Sequence, residues 1–343
     1  MKPRVRIVGS LNIDYTTITN RFPGPGETVV GNSLSISAGG KGANQAVACG
    51  RAAHVDPYRQ NVNVDFISSV GADDSRLGTL IKPVLAEAKI DGDEIIEVDG
   101  SQTGTATIIV DAGHGGENRI VIVPGANHDG MKNKDTVLER AFRDPLPDIM
   151  VLQGEIPPDT TFALLDAVPQ HAKQARRPIQ VVFNPAPVFA GGIPTNFLQQ
   201  VGHLIVNETE MAQLVNDAGE KYAAAASEEE KRTALLQATQ VIHGWSIPTV
   251  IITRGAQGIF GSTQEKSFTL PAAPVVPEVV DTTAAGDTFV GYYAVELARG
   301  LLGDAADAGN VEQACSRAIS ASARCVAKAG GMASIPWGYE VET

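Results

Sequence analysis

The chain has 343 residues, 43% of them hydrophobic, with 27 basic against 39 acidic side chains and a net charge of −12. That apolar content supports a large core rather than disorder, and the acidic balance excludes a protein that grips nucleic acid through a basic face. An anionic small molecule stays open as a ligand, because a local positive site can sit in an acidic protein.

Residues 5–9 form a short apolar run ending in glycine and read as a first buried strand. Hairpin-like pieces follow over 14–38. Residues 54–63 read as a polar insertion, 64–70 as a second buried strand. Residues 75–88 have helical spacing, with Leu77, Leu80, Ile81, Val84 and Leu85 on one stripe. Strand-like 105–111 and 119–123, joined by the glycine-rich turn 113–116, read as a hairpin. Helices are expected over 137–143, 160–173, 208–215, 285–302 and 311–328. Strands are expected over 149–152, 179–183, 203–206 and 250–253, and a further hairpin over 258–260 and 267–270. The polar stretch 217–231 reads as a solvent-facing insertion with a capping-box helix start, Ser227 and Glu230.

From about residue 147 strands and helices alternate, the mark of a parallel sheet with helices on its faces. Ligands of such folds sit at the carboxyl ends of the strands. The pieces at 14–38 and 105–123 break the alternation and suit a small separate β-sheet lid. The expectation is one α/β domain over 1–343, three-layered, with a mainly parallel central sheet. Cys49, Cys315 and Cys325 are odd in number and fit no zinc spacing, which favours a reducing compartment. Residues 5–8 are too short for a signal-peptide core, and no stretch nears the ~20 apolar residues of a membrane helix. The protein is therefore expected to be cytoplasmic, without membrane or nucleic-acid partners.

The most informative stretch is DTTAAGDTF (281–289), which opens a strong helical pattern. Ala284, Ala285 and Gly286 leave no bulk around the first turn, so its free N–H groups and the helix dipole make a site for phosphate. Asp287 lies within that positive end and can accept a proton from a hydroxyl. The same residues would also serve as an ordinary helix start capped by Asp281 or Thr283. In AGGKGANQA (38–46), Gly39 and Gly40 let backbone approach a ligand. Lys41 and Asn44, three apart, share a helix face and can bind a polyol; a plain turn before a core helix is the alternative. No P-loop and no dinucleotide-type glycine fingerprint occurs. Asn12 and Asp14, alternating with Leu11 and Ile13, share one face after the first strand, where they either meet a ligand or simply end the strand. Asn207 and Glu210 start a helix after a strand, either as a cap or as oxygen groups around a hydrated Mg²⁺. Glu155 follows another strand and can face the same crevice.

Together AGGKGANQAVACGRAA (38–53) and DTTAAGDTFVG (281–291) closely resemble the two signatures of the ribokinase, or PfkB-type carbohydrate kinase, family. GSLNID (9–14), FPGPGET (22–28), VLQGE (151–155), NPAP (184–187), VNETE (206–210), ITRGAQG (252–258) and SIPW (334–337) are similar to ribokinases in order and spacing, across nearly the whole chain. The resemblance implies a sheet of about nine strands with a β lid that also makes a homodimer, and a cytoplasmic enzyme found also in the nucleus. It implies transfer of a phosphoryl group from ATP to O5 of D-ribose, with Asp287 as base and 284–286 as anion hole. It implies Asn12, Asp14, Gly40, Lys41, Asn44 and Glu155 as sugar contacts. Asn207, Thr253, Gly255 and Gly258 would lie at the nucleotide, with Glu210 acting indirectly on Mg²⁺. Asp281, Thr283, Cys325, Lys328, Gly330 and Ser334 would hold an activating K⁺. One departure stands out: Ala318 occupies the place where ribokinases often carry an Asn or His beside the adenine. Kinases of the same fold acting on fructose, deoxyribose, 2-keto-3-deoxygluconate or adenosine are alternatives, as is a non-catalytic sugar sensor.

Overall fold

Seven parallel strands form most of a nine-stranded sheet, and their alternating side chains build two cores. A computed structural model describes residues 2–114, 117–275, 278–301 and 310–341. In spatial order the strands are Ser267–Leu270, Ile259–Thr263, Thr249–Thr253, His203–Asn207, Gln180–Asn184, Ile149–Gln153, Arg4–Val8, Asn63–Gly71 and Ile95–Val98. The first strand pairs antiparallel with the second, as the expected hairpin does, and the second antiparallel with the third; the other pairings are parallel. Val151, Val182, Ile205 and Ile251 face one core. Met150, Leu152, Val181, Phe183, Leu204, Val206, Val250 and Ile252 face the other. This period of two on continuous apolar runs is what a sheet covered on both faces requires.

On the first face pack the helices Lys41–Ala52, Ala285–Gly300 and Val311–Val326; on the second lie Lys134–Ala141, Pro158–Ala175 and Glu228–Gly244. A Cβ built on Gly291 would overlap that of Ala48, so the first two helices touch backbone to side chain. The lid is a separate four-stranded sheet in the order Ser33–Gly39, Asn12–Thr19, Gly104–Asp111, Glu117–Val123. Its central pair is parallel and its outer pairs antiparallel. The Glu117–Val123 strand is exposed along its length.

Several expectations change. Residues 75–88 are not one helix: a π-helical turn, Leu77–Ile81, precedes the α-helix Lys82–Glu87. Pro83 in its first turn has no N–H to return to residue 79. The insertion at 54–63 folds into a ribbon, His54–Asp56 against Arg59–Gln60. The 217–231 stretch is not wholly solvent-facing, because the helix Asn216–Ala224 buries Ala218 and Gly219. Its Ser227–Glu230 capping box forms as read. Residues 115–116 of the glycine-rich turn, and residue 302 of the helix read over 285–302, lie outside the described residues. No helix among the described residues is long and apolar enough to cross a membrane.

Candidate active site

The site lies where the parallel strands end. Gln153 and Asn184 are the last residues of adjacent strands, and both turn their amides toward the Lys41–Ala52 helix. Gln45 on that helix accepts from Gln153 Nε2 at 2.9 Å and donates to Asn184 Oδ1 at 3.1 Å. The same Gln45 Nε2 donates to Asp287 Oδ1 at 3.0 Å, and Asn44 Nδ2 donates to Asp287 Oδ2 at 2.9 Å. Both carboxylate oxygens of Asp287 are thus held by donors, one from Asn44 and one from Gln45, which fixes the orientation of the carboxylate. Asp287 is only 7% exposed, yet it stands in the first turn of its helix beside the open Gly286, where a Cβ would meet nothing within 4 Å.

The two helix starts use their amides differently. At the Lys41–Ala52 helix, Lys41 N donates to Glu155 Oε2 at 2.9 Å, Gly42 N to Ser10 Oγ at 3.2 Å and Ala43 N to the Ser10 carbonyl at 2.9 Å. That end is closed by protein. At the Ala285–Gly300 helix, Ala284 is the cap residue, left-handed at φ 61°. Ala285 N turns back to the Thr282 carbonyl at 3.3 Å, and the first full helical bond is Thr288 N to Ala284 O at 2.8 Å. Gly286 and Asp287 N–H make no hydrogen bond among the described residues. Ala284 N–H has no partner there either, so of the expected amides at 284–287 only that of Ala285 turns back into the protein.

A cavity of about 440 Å³ adjoins this mouth, lined by Thr253, Gly255, Gly258, Thr282, Ala285, Gly286, Phe289, Ile319, Ser322 and Val326 among others. Its mostly apolar walls and free amides suit a flat ring joined to an anionic tail. Gly258 is at φ 82°, and a Cβ there would overlap the Leu270 carbonyl. Ala318 is fully buried and does not line this space; Ile319 and Ser322 do.

On the lid side, the Asp14 carboxylate lies on Gly39, where a Cβ would overlap it, and its Oδ1 is buried without a partner. Burial, then the charges of Glu155 and Asp287, raise its pKa to about 7. Burial works against the Lys41 ammonium, but Asp287, Glu155 and Glu210 outweigh it and hold its pKa above the ordinary value. Glu155 also accepts from Ser10 Oγ at 2.5 Å. Gly40 is at φ 86°, which a side chain would strain. Asn12 is 3% exposed, its Oδ1 bonded to Asn127.

Asn207 and Glu210 form a reciprocal capping box, Glu210 N to Asn207 Oδ1 at 2.8 Å and Asn207 N to Glu210 Oε2 at 2.9 Å. Burial, then Asp287, raise the Glu210 pKa against the pull of Asn207 and Lys41. Behind the Ala285–Gly300 helix start, Asp281 accepts from Thr283 N and Gly330 N, both at 2.9 Å. These bonds overcome burial and hold its pKa below the usual range. Cys325 Sγ lies 3.7 Å from the Thr283 carbonyl and 3.0 Å from Ser334 Oγ, so five of the six residues read as a cation set converge. Lys328 sits on the exposed turn after them, its N–H on the Cys325 carbonyl at 3.1 Å.

Gln45, Gln153, Asn184, Ser10 and Asn127 were not singled out from the sequence. The available signal was polar residues closing apolar strands, as Gln153 and Asn184 do.

The model of the pfkB family of carbohydrate kinases matches residues 2–338. A ribokinase of Haemophilus influenzae is 32% identical over 338 residues, covering 98% of this chain and 96% of the relative. A ribokinase structure from Giardia lamblia superposes with a TM-score of 0.82 at 28% identity, over 99% of this chain and 98% of the other. The Arabidopsis thaliana ribokinase complexed with ribose and ATP gives 0.76 at 26% identity, over 99% and 98%. With its mainly parallel sheet, separate lid and amide-lined mouth, the chain belongs to the pfkB family of carbohydrate kinases.

Proposed function

We propose that the protein transfers the γ-phosphoryl group of ATP to the O5 hydroxyl of D-ribose. The observation that carries this is the placement of Asp287. It is held at both oxygens by Asn44 and Gln45, beside free amides, between an apolar cavity and the polar groups of the lid hinge. The adenine would lie against Ile319 and Phe289, with the phosphates running past Thr253, Gly255 and Gly258 to Gly286. Asn207 would stand beside that path. Ribose would lie between Asp287 and the group Asn12, Asp14, Gly40, Lys41, Asn44 and Glu155. Asp287 would take the O5 proton as that oxygen bonds to the γ-phosphorus and the bond to the ADP oxygen breaks in line. The amides of 286 and 287, at the anion hole with Ala284 and Ala285, would stabilise charge on the transferring oxygens.

Among the described residues no three His, Cys, Asp or Glu side chains form a metal cluster. Mg²⁺ keeps waters and is held largely by phosphates, so Glu210 would act on it indirectly; bound there, the ion would neutralise phosphate charge. Asp281, Thr283, Cys325, Lys328, Gly330 and Ser334 would hold K⁺ close behind the anion hole, out of contact with substrate. Exposed Leu34, Ile36 and Val121, on one face of the lid sheet, support pairing of two lids in a homodimer. A cytoplasmic location, and a nuclear one, belong to the same reading.

The test is a coupled assay with ATP and Mg²⁺ over ribose, deoxyribose, fructose, 2-keto-3-deoxygluconate and adenosine. Ribose should give the highest kcat/KM. Preference for another acceptor overturns the substrate, and no sugar-dependent ATP consumption overturns the activity.

A further inference from the structure

The chain crosses between body and lid four times, and three of the crossings meet at one side chain. It enters the lid at 11–12 and 103–104 and leaves it at 39–40 and 124–125. Asn127, 1% exposed, lies just past the last crossing. Its Oδ1 accepts from Leu11 N at 2.8 Å, and its Nδ2 donates to the Leu11 carbonyl at 2.9 Å and to Asn12 Oδ1 at 2.7 Å. A backbone N–H only donates and a carbonyl only accepts, so Leu11 dictates which way the Asn127 amide points. The Asn127 amino group then faces Asn12, which must present its own oxygen to it. Asn12 Nδ2 is what remains. It has no partner among the described residues, and it is absent from the polar atoms that are both sealed from solvent and unpaired. Gly104 stands opposite Asn12 in register, and a Cβ there would overlap both Asn127 Nδ2 and Asn12 Oδ1.

We propose that Asn127 is a positioning residue that fixes the Asn12 amide with its amino group toward the cleft, so that the site offers a donor there and selects a sugar oxygen that accepts. This rests on the reading of Asn12 as a sugar contact. An Asp at 127 keeps the acceptor for Leu11 N but removes the donor, so Asn12 would turn over and face the sugar with its oxygen.

The experiment measures KM for sugar and for ATP in the full chain, using the panel sugar that the wild type phosphorylates best. The variants are N127D, N12A and N12A/N127D. Reversing the Asn12 amide replaces a donor by an acceptor, so the sugar hydroxyl must turn its proton to match; this should raise its KM about tenfold in N127D, with KM for ATP within about twofold of wild type. In the N12A background the same change should add less than about twofold, because the residue it acts through is gone. An equal rise in both backgrounds, or no rise in N127D, overturns the proposal. If N127D does not fold, G104A wedges the two amides apart while keeping both, and the same comparison with N12A/G104A decides. A wild type active on a panel sugar whose KM ignores these changes refutes the positioning role alone; a wild type active on none refutes the kinase reading and the role with it.

Discussion

The Gly291 backbone meets the Ala48 methyl group, one helical turn below the point where Asp287 meets Asn44 and Gln45. The close approach of the two helices is what sets the length of the Asp287 hydrogen bonds. Gly in a helix interior costs roughly 1 kcal/mol relative to Ala, so the position favours Gly for packing. G291A should cost about 1–3 kcal/mol through overpacking and lower kcat by prising Asp287 from its donors. Thermal unfolding and steady-state rates check this; a G291A protein as stable and as active as wild type would show that the contact has slack.

Asp287→Asn should lower kcat by about 10³-fold, with smaller changes in ribose and ATP affinity. The variant should remain folded, because Asn44 Oδ1 is buried without a partner. Turning that amide over lets it accept from the new side chain. Rates and binding by calorimetry on the same sample separate the two effects, and near-normal turnover would remove Asp287 from the chemistry.

Asp14 gives a pH dependence of stated sign. Its pKa is about 7 in the fold against an ordinary 3.8, so the folded state holds a proton that the unfolded chain has released. Stability from this group is fully present below the unfolded pKa and falls as pH rises through 7. D14N lacks that loss. It should be more stable than wild type by up to about 4 kcal/mol at about pH 8, with the difference shrinking toward about pH 5. Denaturant titrations at both pH values test it, and a constant difference would show that Asp14 titrates normally.

Turnover should be faster in K⁺ than in Na⁺ or Li⁺ at fixed ionic strength, and D281A should erase the difference while leaving activity in all three. Asp281 braces Thr283 and Gly330 through paired hydrogen bonds, so its loss should also loosen the start of the Ala285–Gly300 helix. Equal wild-type rates in the three chloride salts would dismiss the cation set.

The apolar runs of Ile149–Gln153, Gln180–Asn184 and Thr249–Thr253 were readable from the chain because a covered parallel strand demands them. So was the Ser227 capping box, a local hydrogen-bond pattern, and the importance of 38–53 and 281–291 followed from their residues. The sequence could not show that Ala285 N turns back to Thr282, that Ile319 and Ser322 rather than Ala318 face the cavity, or that Gln45 and Asn184 support Asp287. Those partners lie 139 to 242 residues apart along the chain. Local spacing fixes which way a side chain leaves its own helix or strand, whereas what it meets depends on how closely separate elements pack, and only the folded chain sets that distance.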